Sequence, residues 1–81
     1  MTILVTGGAG FIGANFVLDW LAQSSERVIN LDKLTYAGNR QNLASLRDDA
    51  RHTFVQGDIG DAALTASLLE RYRPRAVVHF A

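Results

Sequence analysis

Cysteine is absent, so neither a disulfide nor a thiolate metal site can form. Histidine is scarce as well. His52 and His79 are the two in the chain, too few for a dedicated zinc site, and no metal is expected. Proline occurs once, at Pro74, and no linker, internal repeat or low-complexity stretch divides the 81 residues, so one folded unit at most is expected. No apolar run approaches the roughly 18 residues a membrane span needs. The N-terminus also lacks the basic stretch, apolar run and small-residue cleavage site of a secretory signal, which makes a soluble cytoplasmic protein the default. An excess of charge of one sign is missing too: eight Lys plus Arg stand against eight Asp plus Glu. That balance removes the usual electrostatic reason to expect nucleic acid or an anionic membrane as a partner. The small basic cluster Arg71, Arg73 and Arg75 is assigned to a helix end and to solvent.

What is present is apolar material in short, ordered pieces, with 48% hydrophobic residues available for a core. Ile3, Leu4 and Val5, ending at Thr6, read as a strand buried on both faces. Phe11 to Gln23 has helical periodicity: Ile12, Phe16 and Trp20 recur at i, i+4 and i+8, Val17 and Leu21 widen the stripe, and the whole stripe is expected in the core. Val28 to Leu31, broken only by Asn30, reads as a second strand ending at Asp32. A turn-prone stretch, Thr35 to Asn39, and a short helix around Asn42, Leu43 and Leu46 follow. Thr53 to Val55 forms a third strand before Gly57 and Asp58. Asp61 is a good N-cap for a helix Ala62 to Arg73, in which Leu64, Leu68 and Tyr72 share a face and which Pro74 stops. Ala76 to Ala81 reads as a fourth, buried strand around Val77, Val78 and Phe80, with His79 as a hydrogen-bonded core residue. Strand and helix alternate throughout, the signature of parallel βαβ units.

The expected fold class is α/β: a Rossmann-type parallel sheet in the order 3-2-1-4, the first two helices on one face and Ala62 to Arg73 on the other. Residues 1–81 would then be the N-terminal half of a dinucleotide-binding domain. Domains normally end at exposed positions, whereas this sequence stops at a buried strand, so a truncated domain is expected, with Val77 and Phe80 left partly uncovered.

Chemistry is concentrated between the first strand and the first helix. Thr6-Gly7-Gly8-Ala9-Gly10-Phe11-Ile12-Gly13 satisfies GxGxxG through Gly8, Gly10 and Gly13, and GxxGxxG through Gly7, Gly10 and Gly13. A backbone without Cβ atoms can turn sharply and let a pyrophosphate approach the first helical turn, where free N–H groups and the positive end of the dipole stabilise the anion. Glycine patterns alone are weak, since turns are glycine-rich. Here the pattern follows a strand, opens an amphipathic helix, and is followed 19 residues after Gly13 by Asp32 at the end of the next strand. Those three features together indicate dinucleotide binding. Asp32 can accept hydrogen bonds from the adenine ribose hydroxyls and repel a 2′-phosphate, favouring NAD over NADP. The adjacent Lys33 is a cation that could tolerate that phosphate. Asp58 and Ile59 end the third strand on the same edge, where Asp58 serves either the adenine or a turn before Gly60.

TGGAGFIG at Thr6 to Gly13 resembles the extended short-chain dehydrogenases/reductases. DKLTYAGN at Asp32 to Asn39 is similar to the segment that marks the dTDP-glucose 4,6-dehydratase family within that group, and QGDI at Gln56 to Ile59 and VVHFA at Val77 to Ala81 fit the same family. The resemblance covers the whole chain. It implies NAD contacts from Phe11 and Ile12 at the pyrophosphate, from Asp32, Lys33, Leu34 and Thr35 around the ribose, from Asp58 and Ile59 at the adenine, and from Phe80 and Ala81. It implies dTDP-glucose as substrate, held mostly by residues beyond this chain, and a homodimeric parent. Such enzymes move a hydride from glucose C4 to NAD, eliminate water across C5 and C6, and return the hydride to C6. Their base, a tyrosine four residues before a lysine, has no counterpart here. Lys33 is the only lysine and follows Ile29 at that spacing, while Tyr36 and Tyr72 precede Arg40 and Ala76. No catalytic residue is therefore expected in this chain, and the alternatives are another extended reductase such as a UDP-sugar epimerase, or a non-catalytic NAD-binding module.

Overall fold

The largely β-branched run near the N-terminus forms one of the two inner strands of a sheet. In the computed structural model, which describes residues 1–33, 46 and 49–80 and the backbone alone at Phe11, the elements are β1 (Thr2–Thr6), α1 (Phe11–Gln23), β2 (Arg27–Asp32), β3 (His52–Gln56), α2 (Ala62–Tyr72) and β4 (Ala76–His79). The strands make one four-stranded parallel sheet in the order β3-β2-β1-β4, as the alternation of elements implies. Ile3 pairs with Val28 and with Ala76, and Val28 with His52, so the register is continuous across the sheet. Leu34, Thr35 and Ala81 lie outside the described residues, as do the turn at 35–39 and the short helix expected at Asn42 and Leu43.

Alternation along β1 and β2 divides the core into two layers. Ile3, Val5 and Val28 face α1, joining Ala9, Ala14, Val17, Leu21 and Leu46 in one buried cluster. Leu4, Ile29 and Leu31 face the other way and meet Leu68, with Leu64, Val55 and Tyr72 packed around them. The helices α1 and α2 thus cover opposite faces, and β1 and β2, sandwiched between them, carry the near-continuous apolar runs that such burial requires. Val5, Val28 and Ile29 are completely buried.

Of the stripe expected in the core, Val17 and Leu21 are buried, Phe16 and Trp20 reach it only in part, and Ile12 departs from it. The buried side of α1 runs through Gly13, Ala14, Val17 and Leu21, while Ile12 is 70% exposed and leaves the core altogether. Phe16 and Trp20 are half-buried on the flank of that side, stacked with ring centroids 5.7 Å apart, and Phe16 meets the ring of Phe80 at 5.4 Å. The physical reason is the glycine: the helix start closes onto the loop after β1 where Gly13 offers no side chain, and the small residues follow it inward. Bulkier aromatics are displaced toward β4.

Helix α2 starts and stops where its sequence dictates. Asp61 Oδ1 accepts from the Leu64 N–H at 3.1 Å, satisfying one of the first-turn donors. At the other end Tyr72 is the last helical residue and Arg73, expected inside the helix, is instead its left-handed cap at φ 46°, with Pro74 preventing continuation. The C-terminus of α1 is held from a distance. Arg51 Nη1 donates to the carbonyls of Leu21 at 2.8 Å and Ser24 at 3.1 Å. The same guanidinium, helped by its own backbone N–H, keeps the Asp49 carboxyl down at about 2.

Strand β4 is shorter and barer than expected. It ends at His79, and it buries neither face fully, with Val77 54% exposed, Phe80 37% exposed and His79 exposed rather than in the core. Residues on its α1 side, Ala76 and Val78, pack against that cluster, but α2 spans β1 to β3 and nothing among the described residues covers Val77 and His79 on the other side. His79 keeps a polar partner all the same, a 2.5 Å hydrogen bond between its Nδ1 and Thr6 Oγ1.

If Val17 and not Ile12 anchors α1, the two positions should respond oppositely to truncation. Val17→Ala should cost about 1–3 kcal/mol through lost burial and the cavity left behind, whereas Ile12→Ala should stay within about 0.5 kcal/mol. Urea unfolding without added nucleotide measures both; an equal or larger loss at Ile12 would contradict the observed orientation.

Candidate functional site

A parallel sheet brings every strand's carboxyl end to one edge, and here the ladder runs on into the loops above it. Gly7 N–H donates to the Leu31 carbonyl at 2.9 Å, Gly57 N–H to the Asp32 carbonyl at 3.0 Å, and Phe80 N–H to the Thr6 carbonyl at 2.8 Å. The loop mouths after β1, β2, β3 and β4 are therefore tied to each other before any side chain is considered. In open α/β sheets this is the edge where ligands bind.

The glycines of the first loop are required for different physical reasons. Gly7 sits at φ 74°, a left-handed backbone that side chains rarely adopt. At Gly13 space is the constraint: a Cβ would lie 2.2 Å from the Gly7 carbonyl oxygen and 2.9 Å from Gly8 Cα. A Cβ on Gly8 would run into the Asn30 side chain at 2.3 Å. Gly10 differs from all of these, because its φ of −72° and ψ of 171° suit any residue. It is the N-cap of α1 yet supplies no side-chain hydrogen bond, and the first helical turn holds no acidic residue. An α-helix leaves its first N–H groups without intrahelical partners. The start of α1 thus presents donors and the positive dipole end toward the glycine loop, an arrangement suited to an anion.

Asp32, the last residue of β2, is brought directly to that loop. Its Oδ2 accepts from the Ala9 N–H at 2.7 Å, and the residue is 8% exposed. The acid therefore fixes the loop conformation as well as standing at its mouth, a contact with no signal in the sequence. Below it, Asn30 is fully buried against Gly8 and its Nδ2 donates to His52 Nε2 at 3.3 Å. Burial pushes the His52 pKa down, favouring the neutral ring, whose unprotonated nitrogen can accept that bond. Asn30 was legible as the polar break in its apolar strand; its position under Gly8 was not.

Next along the edge, Lys33 Nζ lies 3.2 Å from Asp58 Oδ2, both side chains being more than half exposed. Asp58 Oδ1 also accepts from the Gly60 N–H at 2.8 Å, so it does form the turn before Gly60. That backbone hydrogen bond, followed by Lys33, lowers the Asp58 pKa. Ile59 beside it is 41% exposed. Of the residues singled out from sequence, Gly7, Gly10, Ile12, Gly13, Asp32, Lys33, Asp58, Ile59 and Phe80 all fall on this one edge, together with the backbone of Phe11. Leu34, Thr35 and Ala81 lie outside the described residues. Among the described residues no group of acidic and histidine side chains is arranged to hold a metal ion, and no helix is long and apolar enough to cross a membrane.

The GDP-mannose 4,6 dehydratase family model matches residues 4–81. The chain belongs to that family. Within the GDP-mannose 4,6 dehydratase family it is 60% identical over 80 residues to the dTDP-glucose 4,6-dehydratase of Xanthomonas campestris pv. campestris (strain B100), a match that takes in 99% of this chain and 22% of that protein. The crystal structure of dTDP-glucose 4,6-dehydratase from Bacillus anthracis in complex with NAD superposes with a TM-score of 0.97 at 43% identity, over 100% of this chain and 26% of that one. The Streptomyces venezuelae dTDP-glucose 4,6-dehydratase with NAD and TYD bound gives a TM-score of 0.93 at 53% identity, again over 100% and 26%. The chain spans about a fifth to a quarter of the length of these GDP-mannose 4,6 dehydratase family relatives.

Proposed function

We propose that residues 1–81 are the NAD-binding N-terminal part of a dTDP-glucose 4,6-dehydratase. The observation that carries this reading is the placement of Asp32: a buried carboxylate at the end of β2, hydrogen-bonded to the glycine loop that opens into an uncapped helix start. The 60% identity to a dTDP-glucose 4,6-dehydratase supports the substrate. The pyrophosphate would meet the backbone from Gly7 to Gly13, including Phe11 and Ile12, and the 70% exposure of Ile12 suits a residue that faces a ligand better than one in a core. Asp32, Lys33, Leu34 and Thr35 would surround the adenine ribose and Asp58 and Ile59 the adenine, while Phe80 and Ala81 would begin the contacts from the fourth strand.

NAD, when bound, supplies a reversible hydride acceptor for oxidation at glucose C4. The residues of this chain bind and orient it; none of them is assigned to proton transfer or to the elimination of water. A cytoplasmic homodimer as the working form belongs to the same proposal.

Three experiments on the intact gene product that contains residues 1–81 test this. Incubated with dTDP-glucose, it should form the 4-keto-6-deoxy sugar with no net consumption of NAD; epimerisation of a UDP-sugar instead would assign the segment to an epimerase, and NAD binding with neither activity to a non-catalytic module. Asp32→Ala should weaken NAD binding by about 1–3 kcal/mol, because the polar partners of the carboxylate are left unpaired, and should weaken NADP less. Calorimetric dissociation constants decide it, and equal losses would remove Asp32 from cofactor discrimination. Gly10→Val should abolish NAD retention with the fold intact, since the Gly10 backbone tolerates any residue and the added bulk would occupy the phosphate approach. Unchanged cofactor content after purification would remove the loop from the binding site.

A further inference from the structure

The cation beside Asp32 is already engaged. Lys33 is the only lysine of the chain, and it follows directly on the acid that faces the proposed ribose position. Left to itself, an ammonium there would be a ready ligand for a ribose 2′-phosphate, working against the discrimination that Asp32 provides. The structure places an acid on it. Asp32 pairs with Gln56 across β2 and β3, so Lys33 and Asp58 leave the sheet side by side, one and two residues beyond the paired positions. Their Nζ and Oδ2 atoms stand 3.2 Å apart. Asp58 is itself anchored by the Gly60 N–H at 2.8 Å and by the bond from Asp61 N–H to the Asp58 carbonyl at 2.9 Å, so it is a fixed counter-ion and not a wandering one.

From this arrangement we infer that Asp58 is a specificity-determining residue for the cofactor, excluding NADP by occupying the Lys33 ammonium. The inference rests on the NAD-binding reading above and deepens it. Among the described residues two carboxylates, Asp32 and Asp58, stand against one ammonium at the ribose edge, and an incoming 2′-phosphate meets their net negative field with the Lys33 ammonium already engaged. Removal of the Asp58 charge releases Lys33 toward that phosphate and cancels the excess. The pair is exposed, so its influence is modest and screened by salt within about 8–10 Å at physiological ionic strength. The lowered Asp58 pKa is consistent with a carboxylate held in its charged form by the Gly60 N–H and Lys33.

Asp58→Asn tests this cleanly, because the amide keeps an oxygen to accept from Gly60 and removes only the charge. In the intact gene product, the ratio of the NADP to the NAD dissociation constant should fall about threefold to fivefold at low salt, the range an exposed ion pair can supply. The fall should shrink as sodium chloride is raised, as an electrostatic effect must and a change of shape would not. In Lys33→Met/Asp58→Asn the ratio should return to or above the wild-type value. An unchanged ratio in Asp58→Asn would overturn the inference while NAD binding by the wild type upholds the site itself. An equal fall in the double variant would also overturn it, by showing that Asp58 repels the phosphate directly and not through Lys33. Failure of the wild type to bind either nucleotide would overturn both readings together.

Discussion

The distance between α1 and the loop beneath it governs everything at the carboxyl edge. Gly13 lets the helix come so close that any Cβ would strike the Gly7 carbonyl oxygen, and Gly7 can present that carbonyl only because its backbone takes a left-handed turn. From this contact follow the aim of the helix start across the sheet edge, the inward turn of Ala14, Val17 and Leu21, and the outward displacement of Ile12. A helix held even one side chain farther away would lose both its packing on Ile3 and Val5 and the position of its N-terminal N–H groups. Stability and binding geometry share one origin here.

Polar groups at this edge are arranged as a graded series from dry to wet. Asn30 lies deep beneath Gly8 and reaches back to the half-buried His52 at the start of β3. Asp32 lies at the boundary, 8% exposed and tied to the Ala9 N–H. Lys33 and Asp58 stand in solvent. Electrostatic interactions strengthen as water is excluded, so the boundary carboxylate is the one whose effect on a bound nucleotide should be greatest, with the outer pair tuning the field around it. At the opposite edge the described polar contacts join element ends. There Arg51 caps α1 through the Leu21 and Ser24 carbonyls, and Glu26 pairs with Arg75, contacts that serve stability.

Four parallel strands and two described helices suffice to build the glycine loop, its helix and the acidic strand end. The bare outer face of β4, with Val77 54% exposed, marks the side of the sheet that α2 does not reach.

Period and punctuation in the sequence determined the elements and their order. Short β-branched runs, one amphipathic helix of 13 residues, an Asp61 cap and a Pro74 stop are local properties, written within a few residues of where they act. Handedness of the crossovers then left the 3-2-1-4 order as the outcome, and the GxxGxxG spacing with Asp32 marked the site. Which part of the α1 stripe faces fully inward was decided only by tertiary structure, because Ile12, Phe16 and Trp20 read as core on paper no less than Val17 and Leu21, and the choice depends on the close approach at Gly13. Burial of β4 and His79 likewise depended on how far α2 reaches across the sheet, a distance no local pattern encodes. The bond from Ala9 to Asp32 and the pairing of Lys33 with Asp58 join residues 23 and 25 positions apart, and only the parallel register of β1, β2 and β3 brings them within hydrogen-bonding range.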